Sequence, residues 1–257
     1  MNKQIAALAV LFTALSSSAA LAMPANDDRI IPVALPGGVT DLSGRIGYVQ
    51  SAKGGIDAVD LTTGKMCWHT DGDLTPLMAV GKEIFAQANA SPATNELHIV
   101  GLDVKSGQQV FVSKPLTFPN WVSTASVGFG STFQSYAECV GALMFYWHAA
   151  KHQVSGASPP PGMSLKRWDA SGIARINLST GEVTLFPYPA ENGPMPEDAA
   201  PKAKVILGTR TYTLKEDPVP MTVDPPRTLR GSDTATGRLL WQYPLKPHLK
   251  DLSFMVP

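Results

Sequence analysis

Short apolar runs separated by turn-forming residues mark the chain from residue 30 onward. The runs at 30–35, 45–50, 75–80, 83–87 and 97–102 predict strands, each bounded by Gly, Pro, Asn or Asp. The run at 142–147 is the most continuous and predicts a strand buried on both faces. Residues 110–112 and the Ser/Gly-rich stretch 121–129 read as further strands. Beyond the apolar run at 5–15, no stretch shows the 3.6-residue period of an amphipathic helix. The pattern predicts an all-β chain.

One hairpin recurs within that pattern. Residues 58–68 run from Ala58 through Asp60, turn at Thr63-Gly64, and return to Trp68. An Asp caps such a turn by accepting backbone N–H groups, and Gly supplies the positive φ of a bulged hairpin. The second copy has Gly101, Asp103, Gly107 and Phe111, and the fourth has Gly231, Asp233, Gly237 and Trp241. The third has Asn177, Gly181 and Leu185, with Arg175 in the small-residue place. In every copy the Gly follows the acid or amide by four residues and a large apolar residue follows it by eight. Successive copies lie 43, 74 and 56 residues apart. Recurrence on a scale of about 40 residues predicts units of four strands in a radial or solenoid arrangement.

Proline-rich segments interrupt the repeats at about 152–170, 187–201 and 217–227, and the first contains Pro159-Pro160-Pro161-Gly162. Such segments cannot continue a central strand and read as surface loops. They either carry a binding function or act as plain spacers.

The 257 residues suit one all-β domain, and the 21 Lys+Arg balance the 21 Asp+Glu. A neutral chain argues against nucleic acid and anionic membrane surfaces, which select a basic face. Lys3, the apolar run 5–15 and Ala20-Leu21-Ala22 predict a signal peptide over 1–22. That run is too short to span a bilayer, and no later stretch is long enough. No Cys follows the cleavage site for lipid attachment and no twin-arginine pair precedes it. The expected product is a single domain, 23–257, in the periplasm or outside the cell. Cys67 and Cys139 are the only cysteines. They fall in different repeats, and the reading favoured is two buried, unpaired thiols packed as small hydrophobes.

The chemistry-bearing residues assemble no catalytic set. His148 and His152 are spaced i, i+4, which would share an ion on a helix. On a strand they stand about 13 Å apart along the chain, too far for a common metal. His69, His98 and His248 are solitary, and the pairs Asp71/Asp73 and Glu197/Asp198 fall in turns where solvation suffices. Gly128-Phe129-Gly130-Ser131 opens no helix and reads as a strand bend, and neither a phosphate loop nor a Gly-x-Ser-x-Gly elbow occurs. No residue is assigned as catalytic, cofactor-binding or metal-binding.

The pattern Ala-x-Asp-x-x-Thr-Gly-Lys-x-x-Trp over residues 58–68, nearly repeated over 231–241, resembles the repeats of pyrroloquinoline-quinone-type β-propellers. The resemblance spans about residues 43–243. It implies blades of four antiparallel strands, with the Asp-Gly hairpin joining the third and fourth strands and the Trp packing across to a neighbouring blade. The blade-docking positions would be Ala58, Asp60, Gly64 and Trp68; Gly101, Asp103, Gly107 and Phe111; Asn177, Gly181 and Leu185; and Gly231, Asp233, Gly237 and Trp241. Four hairpins imply four blade equivalents, in a small closed ring, an open arc, or a partial ring completed by a second chain. Residues 30–35 or 252–256 could pair with the last blade to close a ring. The family's enzymes hold a quinone against a vicinal disulfide with Ca²⁺ nearby, whereas here no two cysteines are adjacent. The family also includes a larger, lipid-anchored scaffold of outer-membrane assembly. The expectation is a non-enzymatic scaffold for another exported protein or peptide, without cofactor. The alternative is an enzyme or small-ligand binder using the axial funnel, and a quinone-dependent dehydrogenase is its least favoured version.

Overall fold

The computed structural model describes residues 30–89, 96–122, 131–152, 167–187, 203–216 and 226–246. The signal peptide, residues 252–256, His248, the pair Glu197/Asp198 and most of the three proline-rich segments lie outside these residues. So do residues 123–130, which hold most of the strand expected over 121–129 and the bend at Gly128 to Gly130, and Trp121 and Val122 themselves are not in a strand. No helix is present among the described residues.

The strands form four antiparallel sheets. The first contains β1 (Val33–Leu35), β2 (Gly38–Thr40), β3 (Ile46–Gln50), β4 (Ile56–Asp60) and β5 (Lys65–Thr70), paired in chain order. The second contains β6 (Leu74–Val80), β7 (Glu83–Asn89) and β8 (Glu96–Asp103). Its outer edge is shared by β9 (Gln109–Val112) and β10 (Leu116–Thr117), both paired with β8. The third comprises β11 (Ser131–Cys139), β12 (Leu143–His152), β13 (Arg167–Ile176) and β14 (Val183–Pro187). The fourth comprises β15 (Lys204–Leu207), β16 (Arg210–Glu216), β17 (Arg227–Asp233) and β18 (Leu239–Leu245). The loop expected over 152–170 is shorter at both ends, because long cross-strand pairing carries β12 through His152 and starts β13 at Arg167. Pro187 and Arg227 likewise belong to strands.

Strands buried on both faces need apolar residues at successive positions, and the central strands of the first and second sheets have them. By contrast β12, expected to be buried on both faces, alternates buried and half-buried residues over 143–148. In β4, Ile56 and Ala58 face the second sheet, while Val59 and the following Leu61 face the fourth. In the second sheet, Ile84 and Val100 meet the first sheet, and Phe85 and Ile99 meet the third. The molecule therefore has three apolar cores, lying between the fourth and first, first and second, and second and third sheets. Among the described residues no such core joins the third sheet to the fourth.

Inner strands pack near one another: β6 against β2 and β3, β11 against β6, and β15 against β1. The amino-terminal segment crosses between them. Ile30 exchanges backbone hydrogen bonds of 2.9 and 3.0 Å with Cys139 of β11, and β1 pairs with β2 rather than joining the last sheet. At the other end, Lys246 donates its backbone N–H to the Gln50 carbonyl at 3.1 Å, tying the fourth sheet to the first.

Candidate interaction surface

The four hairpin turns share one geometry. Gly64, Gly107, Gly181 and Gly237 have φ of 70°, 69°, 72° and 69°. Each donates its N–H to the carbonyl of the acid or amide four residues earlier, at 2.7 to 2.9 Å. The side chains of Asp60, Asp103, Asn177 and Asp233 accept the N–H groups of the turn itself. Burial opposes ionisation of Asp60, but the N–H groups of Thr62 and Thr63 and the charge of Arg45 outweigh it and hold its carboxyl below the ordinary value. The Ser106 hydroxyl and N–H lower Asp103, and those of Thr236 lower Asp233.

Two of these turns hold an indole from the preceding sheet. A β-carbon placed on Gly64 would meet the Trp241 ring at 2.6 Å, and one on Gly107 would meet Trp68 at 2.5 Å. The ring N–H of Trp241 donates to the Leu61 carbonyl at 3.1 Å, and that of Trp68 to the Val104 carbonyl at 2.9 Å. Behind each indole stands a small residue of its own sheet, Gly231 opposite Trp241 and Ala58 opposite Trp68. Tyr212 and Tyr48 flank the rings at centroid distances of 5.9 and 6.0 Å. Burying a ring of this size stabilises a sheet contact by about 2–3 kcal/mol.

The third turn is held differently. Phe111 packs edge-on to Phe85 within the core shared with the third sheet. Having no N–H to give, it leaves the turn to the backbone: Lys114 N–H donates to the Gly181 carbonyl at 2.7 Å, and Lys114 Nζ pairs with Glu182 at 2.6 Å.

The fourth junction in the series is not made among the described residues. Leu185, read from spacing as the third sheet's docking residue, is 51% exposed and does not lie on Gly237. The cause is a missing bulge. In the first, second and fourth sheets a register shift after Ala58, Gly101 and Gly231 sets the eighth residue opposite the small one. β13 and β14 pair without a shift, so Thr184 stands opposite Arg175 and Leu185 opposite Ala174. A slip of one residue turns a side chain to the other face of its sheet. The face that would meet the fourth sheet therefore presents Arg175 and Thr184, together with Ile173 and Phe186. At its turn end it opens into a groove of about 500 Å³ lined by Gly141, Arg175, Asn177, Ser179, Glu182 and Thr184. Deeper on this face Tyr146 donates its hydroxyl to the buried Glu138 at 2.6 Å. β14 forms the outer edge of the sheet, with Leu185 and the 44%-exposed Phe186 on its two opposite faces.

A polar cluster ties the fourth sheet to the first. Asp57, 4% exposed, contacts His69 Nδ1 at 2.6 Å and accepts the Tyr243 hydroxyl at 2.8 Å, while His69 Nε2 meets Asp71 at 3.0 Å. The hydrogen bond from Asp57, and then that from Asp71, raises the His69 pKa, and burial followed by the Asp57 bond pushes the Tyr243 hydroxyl up. His69 is thus not solitary, and Asp71 is not merely solvated. The β4–β5 register, which sets Asp57 opposite His69, was the signal for this cluster. Asp73 pairs with Lys246 at 3.0 Å. His148 lies on β12 and contacts Ser171 at 2.8 Å and Asp169 at 3.4 Å, and His98 contacts the Ser113 carbonyl at 3.0 Å.

The residues do not fit the quinone site that the sequence resemblance brings to mind. Cys67 and Cys139 are both free and sit in different sheets, so no vicinal disulfide is available; Cys139 is buried as expected, but Cys67, on the outer strand β5, is exposed. Among the described residues no three His, Cys, Asp or Glu side chains converge as metal ligands. No helix among them is long and apolar enough to cross a membrane.

No family model and no curated protein matches the chain. Solved structures similar to it include BamB from Moraxella catarrhalis, at 16% identity and a TM-score of 0.29, covering 80% of this chain and 62% of that one. Quinohemoprotein alcohol dehydrogenase from Comamonas testosteroni is 12% identical with a TM-score of 0.27, covering 86% of this chain and 38% of that one. The chain spans less than two thirds of the length of either.

Proposed function

We propose that this chain is an exported, non-enzymatic scaffold of quinoprotein-propeller type, with four blade equivalents, that binds an extended segment of another protein at the open end of its third sheet. The observation that carries the reading is β14. Its sequence, Val-Thr-Leu-Phe-Pro, has no charge, and both Leu185 and Phe186 are exposed. Folded proteins usually guard an edge strand with charge, proline or a covering segment. Pro187 closes one end of β14, but Val183 to Phe186 carry no charge and no covering segment among the described residues. Such an apolar edge beside an open groove suits strand addition, in which main-chain hydrogen bonds give affinity and side chains on alternate faces give selectivity. The periplasm or cell exterior is the compartment that the sequence of residues 1–22 supports.

A photo-crosslinking residue at Glu182 tests the reading in the native compartment. The expected result is a discrete crosslinked partner that is lost in the double variant Leu185→Asp/Phe186→Asp, with the melting temperature unchanged. Equal crosslinking in wild type and variant would contradict it. The axial-site enzyme reading finds its nearest support in Asp57, His69 and Asp71. Both imidazole nitrogens are already engaged by carboxylates, which leaves none to take a substrate proton.

A further inference from the structure

The Gly237 turn repeats the described backbone features of the two indole-holding turns, yet no ring among the described residues lies on it. Its glycine φ is 69°, against 70° and 69° at Gly64 and Gly107. In the filled turns the accepting carbonyls belong to Leu61 and Val104, the residues after the Asp. The peptides there are anchored by their own N–H groups, from Leu61 to the Arg45 carbonyl at 2.8 Å and from Val104 to the Lys82 carbonyl at 3.0 Å. Thr234 follows Asp233 in the same way, and its N–H is anchored to the Thr209 carbonyl at 2.9 Å. A β-carbon on Gly237 would meet nothing within 4 Å among the described residues.

We infer that the Gly237 turn is a receptor for a tryptophan side chain carried on a strand of a partner protein, the ring lying on Gly237 and its N–H donating to the Thr234 carbonyl. This deepens the scaffold reading and rests on it. The filled turns name the occupant: a flat ring that exploits the missing β-carbon, with one donor at hydrogen-bond distance from a fixed carbonyl. Phenylalanine lacks the donor and leucine lacks both donor and flatness. None of the chain's five tryptophans supplies the ring: Trp68 and Trp241 are docked, Trp147 is buried against Gly172 and Phe118, Trp121 packs against the core of the second and third sheets, and Trp168 pairs with Lys151 at the end of β13 remote from its turn. A second copy is no better matched, since its open third sheet presents Arg175 and Thr184 where a docking aromatic and its small neighbour would stand. The partner strand should carry a small residue opposite its tryptophan, as Ala58 and Gly231 do here.

The test is an NMR titration of the full chain with N-acetyltryptophanamide, following the backbone amides. Saturable shifts are expected at Gly237 and Thr234, with none at Gly64 or Gly107, and N-acetylleucinamide should move none of them. The 1-methylindole analogue, lacking the N–H donor, should bind about five-fold more weakly, as loss of one hydrogen bond implies. Gly237→Asn keeps a residue tolerant of left-handed backbone but fills the space, and should abolish the shifts. Absence of a saturable shift at Gly237, equal binding of the methylated analogue, or shifts persisting in Gly237→Asn would overturn the inference. So would Gly237 shifts that appear with protein concentration alone, which would make a second copy the occupant. Partner capture dependent on Leu185 and Phe186 but no indole binding would sink the receptor alone. Indole binding without such capture would sink the β14 reading alone.

Discussion

Trp241 and Trp68 do the same work in different surroundings. Trp241 is 9% exposed while Trp68 remains half-buried, so their removal should not cost the same. Trp241→Ala is expected to destabilise by about 3–5 kcal/mol, as large-to-small core changes do, and Trp68→Ala by an amount near the lower end of that range. Denaturant unfolding measures both, and a wild-type midpoint in both variants would refute the docking role. The glycines beneath the rings give a sharper contrast. Gly237→Ala carries only the left-handed backbone penalty of about 1–2 kcal/mol, because its β-carbon meets open space. Gly64→Ala adds the displacement of the Trp241 ring, about 1–3 kcal/mol more. Equal losses in the two variants would contradict the packing described.

His69 sets a pH dependence at the same scale. Its folded pKa lies above the ordinary 6.5, so its stabilising contribution is complete below that value. The contribution is lost as pH rises through the folded value. Melting temperatures from about pH 5 to about pH 9 should fall more steeply in wild type than in His69→Gln, in which no charge changes. Matching slopes would remove His69 from the account. The turn carboxylates act with the opposite sign. Asp60, Asp103 and Asp233 have lowered pKa values, so what they contribute is present above the ordinary carboxylate range and lost in acid. Asn177 accepts the same two N–H groups without titrating. Acid should loosen the first, second and fourth turns and spare the third, a difference readable in amide exchange at their glycines.

At the scale of elements, the hairpins were legible because their turn chemistry is local. An Asp or Asn followed four residues later by Gly specifies the loop without help from the rest of the chain. The bulge is a different matter. Nothing at Leu185 itself reveals that β13 and β14 pair without the shift found in the other three sheets. The clue was Arg175 in the place of Ala58, Gly101 and Gly231, since a long charged side chain leaves no room for a ring opposite it. Strand β2 was missed because Pro36, Gly37 and Gly38 look like a terminator, although they turn β1 into β2 and let Gly38 sit against the Tyr48 carbonyl. The Asp57–His69–Tyr243 cluster joins residues 186 positions apart at its far ends, and only its β4–β5 half could be read from local register. The thiols offer an independent check on sheet placement. Exposed Cys67 should react at once with a thiol reagent and buried Cys139 only after unfolding. Finding no free thiol in the denatured, unreduced protein would show that the two are joined.

At the scale of the molecule, the described residues form an ordered series of four sheets with three cores and one unmade junction. The amino-terminal segment runs between the two sheets at the inner strands, Ile30 bonding Cys139 of β11 and β1 lying against β15. This division explains why the described residues can be well packed and still present an apolar strand edge, a polar groove and a turn on which no described ring lies. The Hα chemical shifts of Gly64, Gly107 and Gly237 in the free protein test this most directly, because a proton beneath an indole face is shifted upfield. The account predicts strong upfield shifts at Gly64 and Gly107 and an ordinary value at Gly237. An upfield-shifted Gly237, or ordinary values at the other two, would contradict it.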